Sequence, residues 1–478
     1  MNERDRPRAG RRLGGLAPSC LPLLLTCLVA CGAGEGELET DSEGEAAPEA
    51  IRIAVLMPLV DGDSLPNLEW ALEGVNAAGG VAGRPLALDY FDPRVEDLYS
   101  LAAELAGDDE HVAVIGPAGS AALAEVADLF LEANKPLIST TSTSDDLLRA
   151  YGGKDVIWRT RESDIAQTEL LVRYAKGGGA ERVTLLTSLD IAGYTFFTWF
   201  GFFARELGFA DDDVQIVTFA SDSPCDAQLM EVLEDMPDMV IVAAGSPEQM
   251  DCVALGLPPP GAARPRIVFA DTGFDPYALE RHGALAAGLE GFTGAGDERF
   301  EEAYLERFPG ERLSPHGPSE YDAVLLLAYG LERAGGRGGV ALIEGMKDAV
   351  DGDEALAAVG PDADGIAATL AAMRAGGRPR LRGASGPLVF EPELYMDLAS
   401  STLAHYQLTE DGLALDLRLT TDDPTFLTSQ GVFVRPRAAP PDVDQSAWSP
   451  AVAKTETWAV IAALSSGFSN YRHQADAL

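Results

Sequence analysis

Ser139 to Ser144 (STTSTS) form an unusually dense set of hydroxyls, placed after the apolar run Pro136-Leu137-Ile138 and just before Asp145. Such a loop can grip a polar group or cap a helix. Upstream, GPAGSAAL puts Ser120 at the start of a helix after a strand and a glycine turn. There its hydroxyl and the unpaired N–H groups of the first turn can hold a carboxylate, or the serine caps the helix. This is binding chemistry. No serine-histidine-acid order, phosphate-cradling glycine loop or paired-carboxylate motif stands out from the acid background, so no catalytic residue is assigned in this domain. His111, His282, His316, His405 and His473 are scattered without metal-ligand spacing. Neither a metal nor a cofactor is expected.

Holding such groups in place takes a large layered domain, and the composition allows one. The chain has 478 residues, 46% of them apolar, which suits two or three domains with a sizeable core. Its formal net charge of −41, from 76 acids against 35 bases, argues against nucleic acid, whose phosphates need a basic surface. Acidity of this kind serves solubility or a salty habitat. Strands are read at Ile51 to Leu59, Pro85 to Phe91, Val112 to Gly116, Pro136 to Ile138 and Val156 to Arg159, with helical runs between the first four. A second alternating series follows at Arg182, Val214, Met239 and Arg266, apolar on both faces as a covered parallel sheet requires.

The most specific phrase is VNAAGGVAGRP, Val75 to Pro85. Leu68, Ala71, Leu72 and Val75 recur at helical intervals, Gly79 and Gly80 stop the helix, and Arg84-Pro85 lead into the strand LALDYFD. A helix ending in N-x-x-G-G-[VI]-x-G-[RK]-P before a strand resembles the type 1 periplasmic solute-binding proteins, the branched-chain amino acid binders. The helix EYDAVLLLAYGLERAG near Ser319, the segment GASGPLVFEPE at Gly383, which resembles the family's late G-P-L strand, and HYQLTEDG from His405, which resembles its final strand, continue the likeness, which spans Ile51 to Leu415. It implies an α/β fold of two Rossmann-like lobes with parallel sheets joined by a hinge. The domain is placed at 51–435, with lobe 1 at about 51–160 and 335–415 and lobe 2 at about 161–318.

The resemblance also implies a site. In amino-acid binders of this family the equivalent of Thr141 offers backbone, and that of Thr143 its hydroxyl, to the substrate carboxylate. The second lobe departs from the pattern: the usual tyrosine-glycine pair falls at Ala192-Gly193, with Tyr194 two places on, and a second aromatic is replaced by Ser246. The acid facing a ligand ammonium falls at Thr272, with Asp271 adjacent, which either serves or caps the turn before Gly273. The candidate ligand contacts are therefore Ser120, Thr141, Thr143, Tyr194, Ser246 and Asp271. Asp61 and Asp63 add negative charge to the rim and favour a cationic or zwitterionic ligand over an anion.

Both ends of the chain carry further signals. Arg4, Arg6, Arg8, Arg11 and Arg12 precede the apolar stretch Leu16 to Ala30, which reads as a signal peptide at 1–30. Leu28-Val29-Ala30-Cys31-Gly32 resembles a bacterial lipobox, which makes Cys31 the lipidation site. Gly32 mildly favours the outer membrane. The Gly/Glu-rich stretch 32–50 reads as a flexible tether. Cys225 and Cys252 remain in an oxidising compartment on neighbouring helices, where they can pair. A proline-rich linker, 436–456, precedes TWAVIAALSSGFSNYRHQADAL, which resembles the opening strand and loop of legumain-like cysteine peptidases. In that family the arginine matching Arg472 shapes the specificity pocket, and His473 belongs to the motif but is not the general base. The family's catalytic histidine and cysteine lie beyond Leu478, so no enzyme activity is expected of this chain.

The reading is a lipid-anchored binder at the cell envelope, facing the periplasm or exterior. It captures a small amino acid or amide for ABC-type uptake, with a permease as partner. The alternative is a sensing or targeting module fused to a legumain-like peptidase.

Overall fold

The computed structural model describes residues 48–58, 65–220, 225–243, 247–259, 262–271, 274, 278–310, 314–352, 362–390, 394–409 and 412–420. β1 (Ile51–Leu56), α1 (Leu65–Ala77) and β2 (Leu86–Phe91) flank the double-glycine phrase. Gly79 and Gly80 have φ of 92° and 70°, a left-handed backbone that glycine adopts without steric cost. A Cβ on Gly80 would lie 2.1 Å from the Arg84 carbonyl oxygen. Asn76 then staples helix end to strand start, donating from Nδ2 to the Leu86 carbonyl (3.0 Å) and accepting the Leu86 N–H (2.8 Å).

The first lobe continues with α2 (Leu98–Gly107), β3 (His111–Ile115), α3 (Ser120–Ala133), β4 (Leu137–Ser139), α4 (Asp145–Tyr151) and β5 (Ile157–Arg159). Its sheet is parallel throughout, in the order β2-β1-β3-β4-β5. Ile53 and Val55 face one apolar cluster, Ala54 and Leu56 another, so helices cover both faces. The second lobe comprises α5 (Asp164–Gly177), β6 (Val183–Ser188), α6 (Gly193–Glu206), β7 (Val214–Phe219), α7 (Asp226–Asp235), β8 (Met239–Ala243), α8 (Pro247–Gly256), β9 (Arg266–Phe269), α9 (Ala278–His282) and β10 (Glu290–Gly294). There follow α10 (Glu298–Arg307), α11 (Gly317–Ala334), α12 (Val340–Val350) and α13 (Ala363–Arg374), and finally β11 (Thr402–Thr409) and β12 (Gly412–Thr420).

Three expectations are corrected. The second sheet is mixed, in the order β12-β11-β10-β9-β8-β6-β7, because β11 and β12 run antiparallel. Residues 402–420 therefore belong to lobe 2, and the assignment of 335–415 to lobe 1 holds only as far as the third crossing. Conversely, α10 leaves lobe 2: Phe300 joins the lobe 1 core, and Trp70 of α1 stacks on it with ring centroids 5.1 Å apart. The segment at Gly383 forms isolated bridges, Arg382 to Pro387 and Phe390 to Leu398, in place of a sheet strand. Pro387 has no N–H to give a ladder. In β12 one extra residue between Leu415 and Leu417 shifts the register opposite His405 and Tyr406. Leu413 consequently packs against one cluster, and Leu417 and Leu419 against the other.

The chain crosses between lobes at 160–163, 295–297 and near 399–401. Arg159, fully buried at the first crossing, donates from Nε and Nη2 to both carboxylate oxygens of Asp397 beside the third. Thr160 Oγ1 donates to the Ser319 carbonyl (2.7 Å), and the Glu162 N–H to Ser401 Oγ (3.0 Å). Asp322 of α11 accepts from the N–H groups of Ala384 and Ser385 and from the Ser385 hydroxyl. Arg159→Met would strand a buried carboxylate, and we expect a loss of about 3–5 kcal/mol. Equilibrium urea unfolding at neutral pH measures it, and a loss below about 1 kcal/mol would show that the pair does not brace the hinge.

Candidate functional site

The hydroxyl loop is an internal lattice as well as a surface. Ser139 Oγ donates to Ser142 Oγ (2.8 Å), and the Ser142 N–H returns to Ser139 Oγ (3.2 Å). Thr141 Oγ1 accepts the Gly119 N–H at 2.8 Å. Ser120 is the first residue of α3, whose N-cap is Gly119. Its hydroxyl therefore serves the neighbouring loop, accepting the N–H groups of Thr143 and Ser144 at 3.3 Å each. Thr143 Oγ1 donates to Asp164 Oδ2 (2.7 Å), and its carbonyl accepts the Asp164 N–H (2.9 Å). The loop is thereby fixed to the first turn of α5.

Facing it, Asp271 follows β9. Its Oδ2 accepts from Arg161 Nη2 at 2.9 Å, while Oδ1 is buried without a hydrogen-bond partner among the described residues. Arg161 Nη1 reaches His316 Nδ1 at 2.7 Å. Burial and the neighbouring guanidinium hold the His316 pKa down at about 3, so the ring is a neutral acceptor. Burial, then the charge of Asp271, pushes the Asp164 carboxyl up to about 8, against the pull of Thr143, Arg161 and Arg159. At neutral pH Asp164 is predominantly protonated and Arg161 belongs to Asp271. Thr143, Arg161, Asp164, Gln167, Asp271 and Ser401 help line a polar cavity of about 30 Å³ at the base of the cleft, room for roughly two waters.

The structure thus brings Thr143 and Asp271 together. Ser120 and Thr141 stand one layer behind, bonded into the loop. Tyr194 lies apart in the first turn of α6, stacked on Phe197 with centroids 5.8 Å apart, its buried hydroxyl without a partner among the described residues. Burial, then Asp146, raises the pKa of that hydroxyl. Cys225 and Cys252 are joined by a disulfide, Cα atoms 5.9 Å apart. Ser246, Thr272, Asp61, Asp63, Cys31, Arg472 and His473 lie outside the described residues. Sequence reasoning missed Arg161, Asp164 and Gln167, although RESDIAQ held a signal: a serine N-cap and a first-turn acid directly after the strand that ends lobe 1.

Two α/β lobes, hinged at three crossings over a polar cleft, define a two-lobed ligand-binding protein. A family model described as periplasmic binding protein matches residues 60–375, and the chain belongs to that family. Among solved structures, a leucine-binding protein of Thermotoga maritima shares 22% identity with a TM-score of 0.56, over 77% of this chain and 99% of that one. A branched-chain amino acid transporter substrate-binding protein of Streptococcus pneumoniae, in complex with isoleucine, shares 19% at a TM-score of 0.57, over 78% and 99%. A solute-binding protein of an ABC transporter from R. palustris, in complex with 4-hydroxybenzoate, shares 16% at 0.60, over 78% and 97%. At these identities the likeness is one of fold. No curated protein matches the chain.

The Asp164 shift fixes a sign. Its folded pKa lies above the unfolded value, so the folded state holds the proton more tightly, and the stability this contributes is full below about pH 4 and gone above about pH 8. Urea unfolding across this window is expected to give the parent protein a stability that falls with rising pH relative to that of Asp164→Asn. Identical slopes in the two proteins would refute the assignment.

Proposed function

We propose that this protein captures a small polar ligand of the amino acid or amide type between its lobes, for uptake by an ABC-type permease. One observation carries the reading: a buried carboxylate oxygen, Asp271 Oδ1, has no partner among the described residues and lies at the edge of a polar cavity shared with Thr143. A ligand N–H or ammonium would satisfy it, and a buried acceptor left unpaired is costly. The S. pneumoniae neighbour holds isoleucine and the T. maritima one is named for leucine, both ligands with an ammonium. The 4-hydroxybenzoate of the R. palustris protein has none, and the acid at Asp271 favours the first class. Ser120 and Thr141 serve the proposed site by ordering the loop that presents Thr143, and Tyr194 and Ser246 are assigned to it on the family register alone.

The family carries an extracytoplasmic location with it. We assign residues 1–30 to a signal peptide, Cys31 to lipid attachment, favouring the outer membrane, and 32–50 to an acidic tether. These rest on the residue pattern alone. Mass spectrometry of the protein from the cell envelope should find an acylated N-terminal Cys31, and an unmodified N-terminus would count against the anchor. The motif NYRHQAD, Asn470 to Asp476, supports the second reading, a binding module joined to a legumain-like peptidase. The reading frame beyond Leu478 decides it.

Thermal-shift screening of the mature chain against amino acids and amides tests capture. A ligand at 100 times its Kd adds about 2.7 kcal/mol and raises the melting temperature. Thr143→Ala and Asp271→Asn should each weaken binding at least several-fold. No shift with any compound argues against uptake, and unchanged affinity in both variants removes the site as drawn.

A further inference from the structure

Lobe 1 and lobe 2 meet at a second place, on the rim of the cleft, where the side chains form a designed-looking contact that ligand capture does not itself require. Asp145, the first residue of α4, is 1% exposed. Its carboxylate faces α6 of the other lobe. Thr195 Oγ1 donates to Asp145 Oδ1 at 3.0 Å and accepts the Asp145 N–H at 3.0 Å, while Trp199 Nε1 donates to Asp145 Oδ2 at 2.7 Å. Arg149, one turn along α4, pairs with the same Oδ2. Thr195 and Trp199 are four residues apart, so they project from one face of α6. Thr195 is wholly buried.

We propose that Asp145 is the latch of the cleft: one carboxylate of lobe 1 holds helix α6 of lobe 2 through Thr195 and Trp199 and keeps the lobes together. This rests on the two-lobed capture reading and adds a positioning residue to it. An acid serving only the first turn of its own helix could sit in water. Here three hydrogen bonds cross the cleft, and Arg149 alone returns to α4. Around this contact Tyr194 feels the charges of Asp146, Arg149 and Asp145, and Arg205 pairs with Asp211 at the far end of α6. The contact also lies on the ligand loop itself, since Ser144, next to Asp145, passes its carbonyl to Arg159 Nη1 at 2.7 Å. Opening at α6 is therefore coupled through two adjacent residues to the hinge brace.

The test needs no ligand. Spin labels on cysteines introduced at Glu125 of α3 and Met230 of α7, both exposed, report the distance between lobes by pulsed electron resonance in the full mature chain. The expected result is one narrow distribution in the parent protein, and a longer, broader one in Asp145→Ala and in Thr195→Val. Thr195→Val exchanges a hydroxyl for a methyl of nearly the same size, so it carries the test if Asp145→Ala fails to fold. Distributions that coincide in the parent and in Thr195→Val overturn the latch, as does a parent distribution already as broad as that of the variants. The two readings fail separately: a silent ligand screen leaves the distances untouched, and unchanged distances leave the ligand screen standing.

Discussion

The pair of Arg159 and Asp397 sets the terms for the rest of the molecule. Both side chains are out of water, and a buried charge without its partner is among the costliest defects a core can carry. Each therefore has one acceptable geometry, and it joins the first crossing between lobes to the stretch before the third. The guanidinium's third nitrogen, Nη1, donates to the Ser144 carbonyl, so the hydroxyl loop hangs from the same brace. What a Leu-for-Met repacking could tolerate elsewhere in the sheets, this junction cannot, because direction as well as volume is specified.

The two lobes solve the problem of sheet edges differently. Lobe 1 is a five-stranded parallel sheet buried between helices. Lobe 2 adds β11 and β12 antiparallel beyond β10, and the returning chain is what makes this possible: having crossed a third time, it enters beside β10 and runs back along it, and a tight hairpin then suffices for β12. The register shift opposite His405 and Tyr406 lets the hairpin contribute leucines to both layers of core. Strand β12 is an alternating leucine run, Leu413, Leu415, Leu417 and Leu419, and the period was visible in the sequence. The lobe it joined was not, since alternation says nothing about which sheet edge is open.

The same division runs through the site. Gly79, Gly80 and Asn76 were legible because a helix stop before a strand has few chemical solutions, and the hydroxyls of 139–144 because their density is unusual. Asp271 was reachable only through a family register, and Ser120 was placed correctly at the helix start, where Gly119 and not the serine is the cap. Arg161 and Asp164 escaped notice because their meaning is tertiary: an arginine in a crossing segment becomes informative only once Asp271, 110 residues away, and His316, 155 residues away, are seen on its two ends. The placement of α10 was hidden for a similar reason. Its aromatic residues Phe300 and Tyr304 suit either lobe, and only Trp70 on α1 decides between them.

Charge then explains why a strongly acidic protein keeps a well-ordered cleft. With a net −41 on the chain, a cleft lined by Asp164 and Asp271 would repel itself unless something took up the charge. Two devices do so at different cost. Arg161 neutralises Asp271 directly, whereas burial keeps the proton on Asp164, which costs no counter-ion but ties the fold to pH. The hydroxyls add a third element: Ser139 and Ser142 bond to each other, Thr141 to the Gly119 N–H and Thr143 to Asp164, so their orientation is settled before any ligand arrives and little side-chain freedom remains to be lost on binding. One oxygen of Asp271 stands outside all three arrangements. Buried with no partner among the described residues, that oxygen is where an incoming donor gains most.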